Sequence, residues 1–218
     1  MKKERYSFEF EQIADDWENV LLFDIETADT LQELQEAIAN QSKELLDPLQ
    51  AKHFAFALKK ANLMKARNRN IHKLLAKFER QEYKGYYIYL QMNSNAEQMA
   101  RDLLAVADAM DLDLVAHAGL RFDFLIFKTL LQKKEIAVAE MKGNYFLRKG
   151  RRYYRLIDTL QLTKASLEKS LEAFGIELQK DYSNDLKTYL QNDLKMTIEL
   201  VEALKKSGIA YTLTRTAR

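Results

Sequence analysis

The chain has 218 residues, enough for one sizeable core or for one core with an appended part, and its 47% hydrophobic and 30% charged residues set it apart from disordered and membrane-embedded compositions. Its 34 basic and 32 acidic residues nearly cancel, so bulk charge names no anionic partner. Cysteine is absent, which excludes disulfides and thiolate metal sites and fits a reducing compartment. The N-terminus leads into no signal-peptide core, and no stretch approaches the roughly 20 apolar residues of a membrane span, so a cytoplasmic protein with no membrane partner is expected.

In chain order, residues 20–23 are continuously apolar, the pattern of a strand buried on both faces, and they run straight into Asp24-Ile25-Glu26-Thr27. Residues 31–80 are rich in Leu, Ala, Lys, Glu and Gln and predict two or three helices broken near 47–48 and 68–70, with 53–58 open to a short strand instead. Charge is unevenly divided. Residues 52–84 hold ten Lys/Arg against Glu79 and Glu82, a balance of +8, so a basic helical insertion is expected over about 31–82 of a single domain spanning 1–218.

Residues 85–92 predict a strand, 96–110 an amphipathic helix and 113–116 a short buried strand, followed by a loop and a helix over about 123–132. Residues 144–149 and 151–158 bracket Gly150 as a β-hairpin, and 166–174 and 186–206 read as helices. This alternation predicts an α/β fold with a mixed sheet.

Strand residues two apart share a face, so Asp24 and Glu26 present paired carboxylates at the end of an apolar run. Buried together they repel unless a proton or a divalent cation neutralises them; the alternative is that Ile25 alone faces the core and both acids face water. In the last helix, Asp193 projects within about 20° of the direction shared by Leu186 and Leu204, inside the apolar stripe, with Tyr189 one turn earlier. Pairing of Asp193 with a lysine at the stripe edge is the alternative. Asp123 at a helix start is explained by capping alone, and Asp158 reads slightly better as the cap of the next helix than as an acid behind the site. His53, His72 and His117 show no ligand spacing, and His117 is read as a satisfied histidine near a strand end.

Three segments occur in a telling order: Phe23-Asp24-Ile25-Glu26-Thr27, His117-Ala118-Gly119-Leu120-Arg121-Phe122-Asp123 and Tyr189-Leu190-Gln191-Asn192-Asp193. Together they resemble the three motifs of the DEDD 3′-to-5′ exonucleases, in the Tyr-x-x-x-Asp form, which have a ribonuclease H-like fold. The hairpin into Ile157-Asp158-Thr159-Leu160, then Ser166-Leu167 and Ala173-Phe174-Gly175-Ile176, make the chain most similar to the proofreading domain of family B DNA polymerases, particularly the protein-primed viral and plasmid kind. The resemblance covers 19–27 and about 85–201 and leaves the basic insertion aside. It departs at Ala118, where the family usually has an Asn that helps hold the terminal nucleotides. The chain ends at Arg218, which leaves no room for a polymerase palm, fingers or thumb, so a free-standing nuclease or a separate proofreading subunit acting beside a DNA polymerase is expected.

The resemblance implies two divalent metal ions, Mg²⁺ or Mn²⁺: one held by Asp24, Glu26 and Asp193, and a second, about 4 Å away, by Asp24 with Asp123, partly through water. Tyr189 would orient the attacking water. The implied reaction releases nucleoside 5′-monophosphates from single-stranded DNA 3′ ends. Arg148, Lys149, Arg151, Arg152 and Arg155 would attract the phosphate backbone, and Phe122, Tyr145, Phe146, Tyr153 and Tyr154 would meet unpaired nucleotides. Rival readings are a ribonuclease of the same superfamily and a catalytically weak module that binds nucleic acid or a polymerase.

Overall fold

The computed structural model describes residues 17–27, 51–66, 68–92, 96–124, 136–141, 144–149, 152–178 and 185–209. The apolar run becomes β1 (Val20–Thr27), with Leu21, Phe23 and Ile25 buried on one face and Val20 and Leu22 on the other. Next come β2 (Ala51–Lys59), α1 (Lys60–Lys65), α2 (Arg69–Leu75), β3 (Glu79–Tyr83), β4 (Tyr86–Met92), α3 (Ala96–Met110) and β5 (Asp113–Ala116). The remaining elements are β6 (Ile136–Met141), β7 (Asn144–Lys149), β8 (Arg152–Asp158), α4 (Thr159–Thr163), α5 (Leu167–Ala173) and α6 (Leu186–Lys206).

One eight-stranded sheet runs β3-β4-β2-β1-β5-β8-β7-β6. Strands β1, β2 and β4 form antiparallel pairs, β1–β5 and β5–β8 are parallel, and β8, β7 and β6 return as an antiparallel meander. Helices flank it, so the molecule is α/β with a mixed sheet, consistent with the ribonuclease H-like fold expected. On one face, α2 and α3 cover Phe54, Phe56, Phe78 and Tyr89, whose rings interlock with centroids 5.0 to 6.5 Å apart. On the other, α6 lies over β1 and β2.

The insertion is helical at 60–65 and 69–75, with the break near 68–70 that was expected, but the wholly helical reading is corrected in favour of the strand left open over 53–58. Residues 31–50 lie outside the described residues, but 51–59 form a central strand and 79–83 an edge strand, so this segment is part of the sheet. Ala, Leu and Lys favour helix by propensity, yet tertiary packing overrides it: Phe54, Phe56 and Leu58 fill one core while Ala55 and Ala57 face the other. Both faces are covered, so no polar alternation marks the strand. Strand β6 was not expected, and the helix foreseen over 123–132 is described only at Asp123 and Phe124.

The small Cβ groups of Ala55 and Ala57 leave room for α6 to settle closely on β2. In that helix Leu190, Leu194, Ile198, Val201 and Leu204 are buried, whereas Leu186 at its start is 40% exposed. Asp185 caps the helix through a hydrogen bond from Lys187 N–H, and the buried stripe sets the helix's rotation on the sheet. That rotation decides where Asp193 points.

Candidate metal centre

Beyond Leu22, the face of β1 that carries Val20 and Leu22 continues with Asp24 and Glu26, because alternate strand residues share a side. Helix α6 crosses the same face and delivers Asp193, which is only 7% exposed. One carboxylate oxygen from each of Asp24, Glu26 and Asp193 lies within 4.8 Å of the other two. Asp24 and Glu26 are half-buried, so the reading in which both acids simply face water does not hold. Although both residues engage other groups, Oδ2 of Asp24 and Oδ1 of Asp193 are buried oxygens that accept no hydrogen bond.

Three carboxylates in such a space repel one another, and burial raises the cost of every charge. Oxygen donors at this separation, all hard and anionic, suit a divalent cation of the Mg²⁺ or Mn²⁺ kind. The residues therefore fit the group that the sequence implied for them.

Asp123 takes a different position. The β1–β5 ladder ends at the Leu22–Val115 pair, and past that point Asp123 Oδ1 accepts a hydrogen bond from the Ile25 N–H at 3.1 Å. The side chain thus replaces a strand partner between the two β1 acids. It does not join the group of three among the described residues. Burial pushes its carboxyl well above the usual range against the pull of its backbone hydrogen bonds, and the charges of Glu26 and Asp158 push it further up.

The loop carrying Asp123 is held tightly. A Cβ at Gly119 would come within 2.8 to 2.9 Å of the Phe124 ring and the Ala116 side chain, which only glycine avoids. Ala118 sits in the left-handed region at φ 60°, a conformation that costs a residue with a Cβ. Asp158 is buried and does two jobs. Its Oδ1 accepts from Leu160 N–H at 2.9 Å and caps α4, and its Oδ2 accepts from Leu120 N–H at 3.1 Å and pins this loop to β8. Burial raises the Asp158 carboxyl against the lowering effect of those bonds. His117 Nδ1 lies 2.9 Å from Thr159 Oγ1, in keeping with a satisfied histidine at a strand end.

Tyr189 is half-buried one turn before Asp193 on α6. Phe122 is half-buried and packs against the core under α3, so part of its ring is spent on the fold. In the hairpin, Arg148, Lys149 and Arg152 belong to β7 and β8 with side chains outside the described residues, and Arg151 lies outside them altogether. Two further hairpin expectations are corrected. Arg155 gives its backbone N–H and Nε–H to Asp113, both at 2.8 Å, and Tyr154 is buried with its hydroxyl bonded to Asp108. Strand alternation turns Tyr154 inward and places Arg155 on the face of Tyr153, which is 52% exposed, where the ion pair with Asp113 engages the guanidinium.

His53, which shows no ligand spacing in the sequence, stands beside Glu26 in the sheet. Matched against protein-family models, curated proteins and solved structures, the chain shows a match to none.

Proposed function

We propose that the protein is a metal-dependent 3′-to-5′ exonuclease that removes nucleotides from single-stranded DNA as nucleoside 5′-monophosphates. The observation that carries the reading is the meeting of Asp24 and Glu26 from β1 with Asp193 from α6, one oxygen of each within 4.8 Å of the others. These are the residues singled out by two motifs separated by more than 160 positions, and the order of all three motifs supports the same reaction.

Asp24, Glu26 and Asp193 would hold a divalent cation, and Asp123, beside Glu26, would help with a second. Bound there, such ions lower the pKa of water and stabilise charge that develops on a phosphate. The chain's own residues do the rest. The rigid strand and the capped helix fix the carboxylates before substrate arrives. Tyr189, on the same helix as Asp193, orients the attacking water through its hydroxyl. The water oxygen bonds to phosphorus, the bond to the 3′-oxygen of the preceding nucleotide breaks, and that oxygen takes up a proton. The basic stretch through α1 and α2 and the hairpin draw in the phosphate backbone.

The test is digestion of 5′-labelled single-stranded DNA with Mn²⁺ or Mg²⁺, with Asp24→Ala and EDTA as controls and labelled RNA in parallel. A ladder shortening from the 3′ end, lost in both controls, is expected. Cleavage of RNA alone would transfer the reading to a ribonuclease, and no cleavage of either by folded protein would overturn it.

A further inference from the structure

The face of the sheet beneath α6 is ordered in rows across β1, β2 and β4. Asp24 pairs with Ala55, which pairs with Leu90; one row further out, Glu26 pairs with His53, which pairs with Met92. Paired residues of antiparallel strands share a face, with Cβ atoms about 4.5–5.5 Å apart, so His53 stands beside Glu26 on the side of the three carboxylates. The register shifts just past this pair, between Glu26 and Thr27, so His53 belongs to the last row before the strands change alignment. Bulges of this kind re-aim side chains and gather next to active sites.

Nothing about packing asks for an imidazole here. Its neighbours along β2 on this face, Ala55 and Ala57, are small and apolar, with Lys59 beyond them at the opposite end, and His53 is 7% exposed. A buried polar ring costs free energy unless it is hydrogen-bonded, and the group paired with it in register is a carboxylate. His53 lies outside the set of three oxygens that approach one another, which separates it from the cation ligands.

We propose that His53 is a positioning residue: an imidazole N–H donates to the Glu26 carboxylate and fixes which oxygen Glu26 turns toward Asp24 and Asp193. Carboxylates that hold metals are themselves held by hydrogen bonds, and loss of such a partner typically weakens metal affinity by roughly 10- to 100-fold. The role rests on the metal-site reading above, and it concerns the readiness of the site rather than a step of the reaction.

The experiment is titration of the intact protein with Mn²⁺, followed by the electron paramagnetic resonance of the free ion, with circular dichroism to establish folding. His53→Phe fills the buried volume without a donor, and His53→Gln restores an N–H in a similar place. His53→Phe should weaken Mn²⁺ binding by roughly 10- to 100-fold, and His53→Gln should recover most of it. If the phenylalanine does not fold, His53→Ala serves as the donor-free variant with the same expectation. Wild-type affinity in the donor-free variant, or a glutamine variant as weak as the donor-free one, overturns the proposal. Wild-type protein that binds no Mn²⁺ overturns the metal site itself and this role with it, an outcome distinct from the other two.

Discussion

The same pairing of β1 and β2 under α6 ends in opposite ways. At the end where β1 begins, acids meet bases: Lys59 bridges Glu18 at 2.8 Å and Glu202 at 2.9 Å, Lys205 also reaches Glu18, and the Tyr86 hydroxyl donates to Glu202 at 2.5 Å. At the end where β1 finishes, Asp24, Glu26 and Asp193 lie against one another. One end is an ion network that closes the fold. The other is assembled at a cost in stability, and the same elements avoid that cost at the opposite end of β1, about 23 Å away at roughly 3.3 Å per residue over eight residues.

The comparison breaks most sharply at Asp193. Asp193→Asn should lower nuclease activity on the order of 10³-fold, the several kcal/mol of charge stabilisation lost with a metal ligand. The metal-free variant should melt above the wild type, and Mn²⁺, which raises the wild-type midpoint, should no longer do so. A variant that melts lower without metal would show that the three acids do not strain the fold.

At the opposite end, Lys59→Met should cost about 1–3 kcal/mol in urea unfolding, because it leaves Glu18 and Glu202 facing each other, and activity should stay at the wild-type level. Lost activity would mean that the two ends are coupled.

Tyr86 sharpens the picture through pH. Burial pushes its hydroxyl up, and the Glu202 contact pushes it further, so the folded protein keeps this proton above the value of about 10 at which the unfolded chain releases it. The unfolded state then binds fewer protons, and stability falls as pH rises beyond about 10. Tyr83, bonded to Glu199, acts in the same direction. Tyr86→Phe should cost about 1 kcal/mol near neutrality and make the alkaline decline shallower, read from thermal midpoints across pH.

The smallest effect is expected at Ala118. Ala118→Gly should stabilise by about 0.5–1 kcal/mol, since glycine takes the left-handed conformation without the Cβ clash. At the other end Lys84 and Gly85 also have positive φ, but in the tight turn between β3 and β4, where the conformation serves the hairpin.

Much of this was legible in the sequence, for reasons that can be named. β1 and β5 announce themselves as short unbroken apolar runs, α3 and α6 because their apolar residues repeat at the helical period, and Asp193 stands out because it interrupts such a stripe. β2 stays ambiguous between helix and short strand because a central strand covered on both faces lacks polar alternation, although the large-small sequence Phe54-Ala55-Phe56-Ala57-Leu58 marks its two sides. The alternative of a short strand over 53–58 is the one the structure bears out, but a strand without a known register does not place His53 beside Glu26. Asp158 was legible as a cap but not as the anchor of a loop 38 residues earlier, since long-range partners leave no local pattern.

The bond from Ile25 N–H to Asp123 spans 98 positions of sequence. A backbone amide in the middle of β1 is thereby protected by a loop rather than by a neighbouring strand. Its exchange with solvent should therefore report on the loop that carries Asp123 rather than on the separation of neighbouring strands.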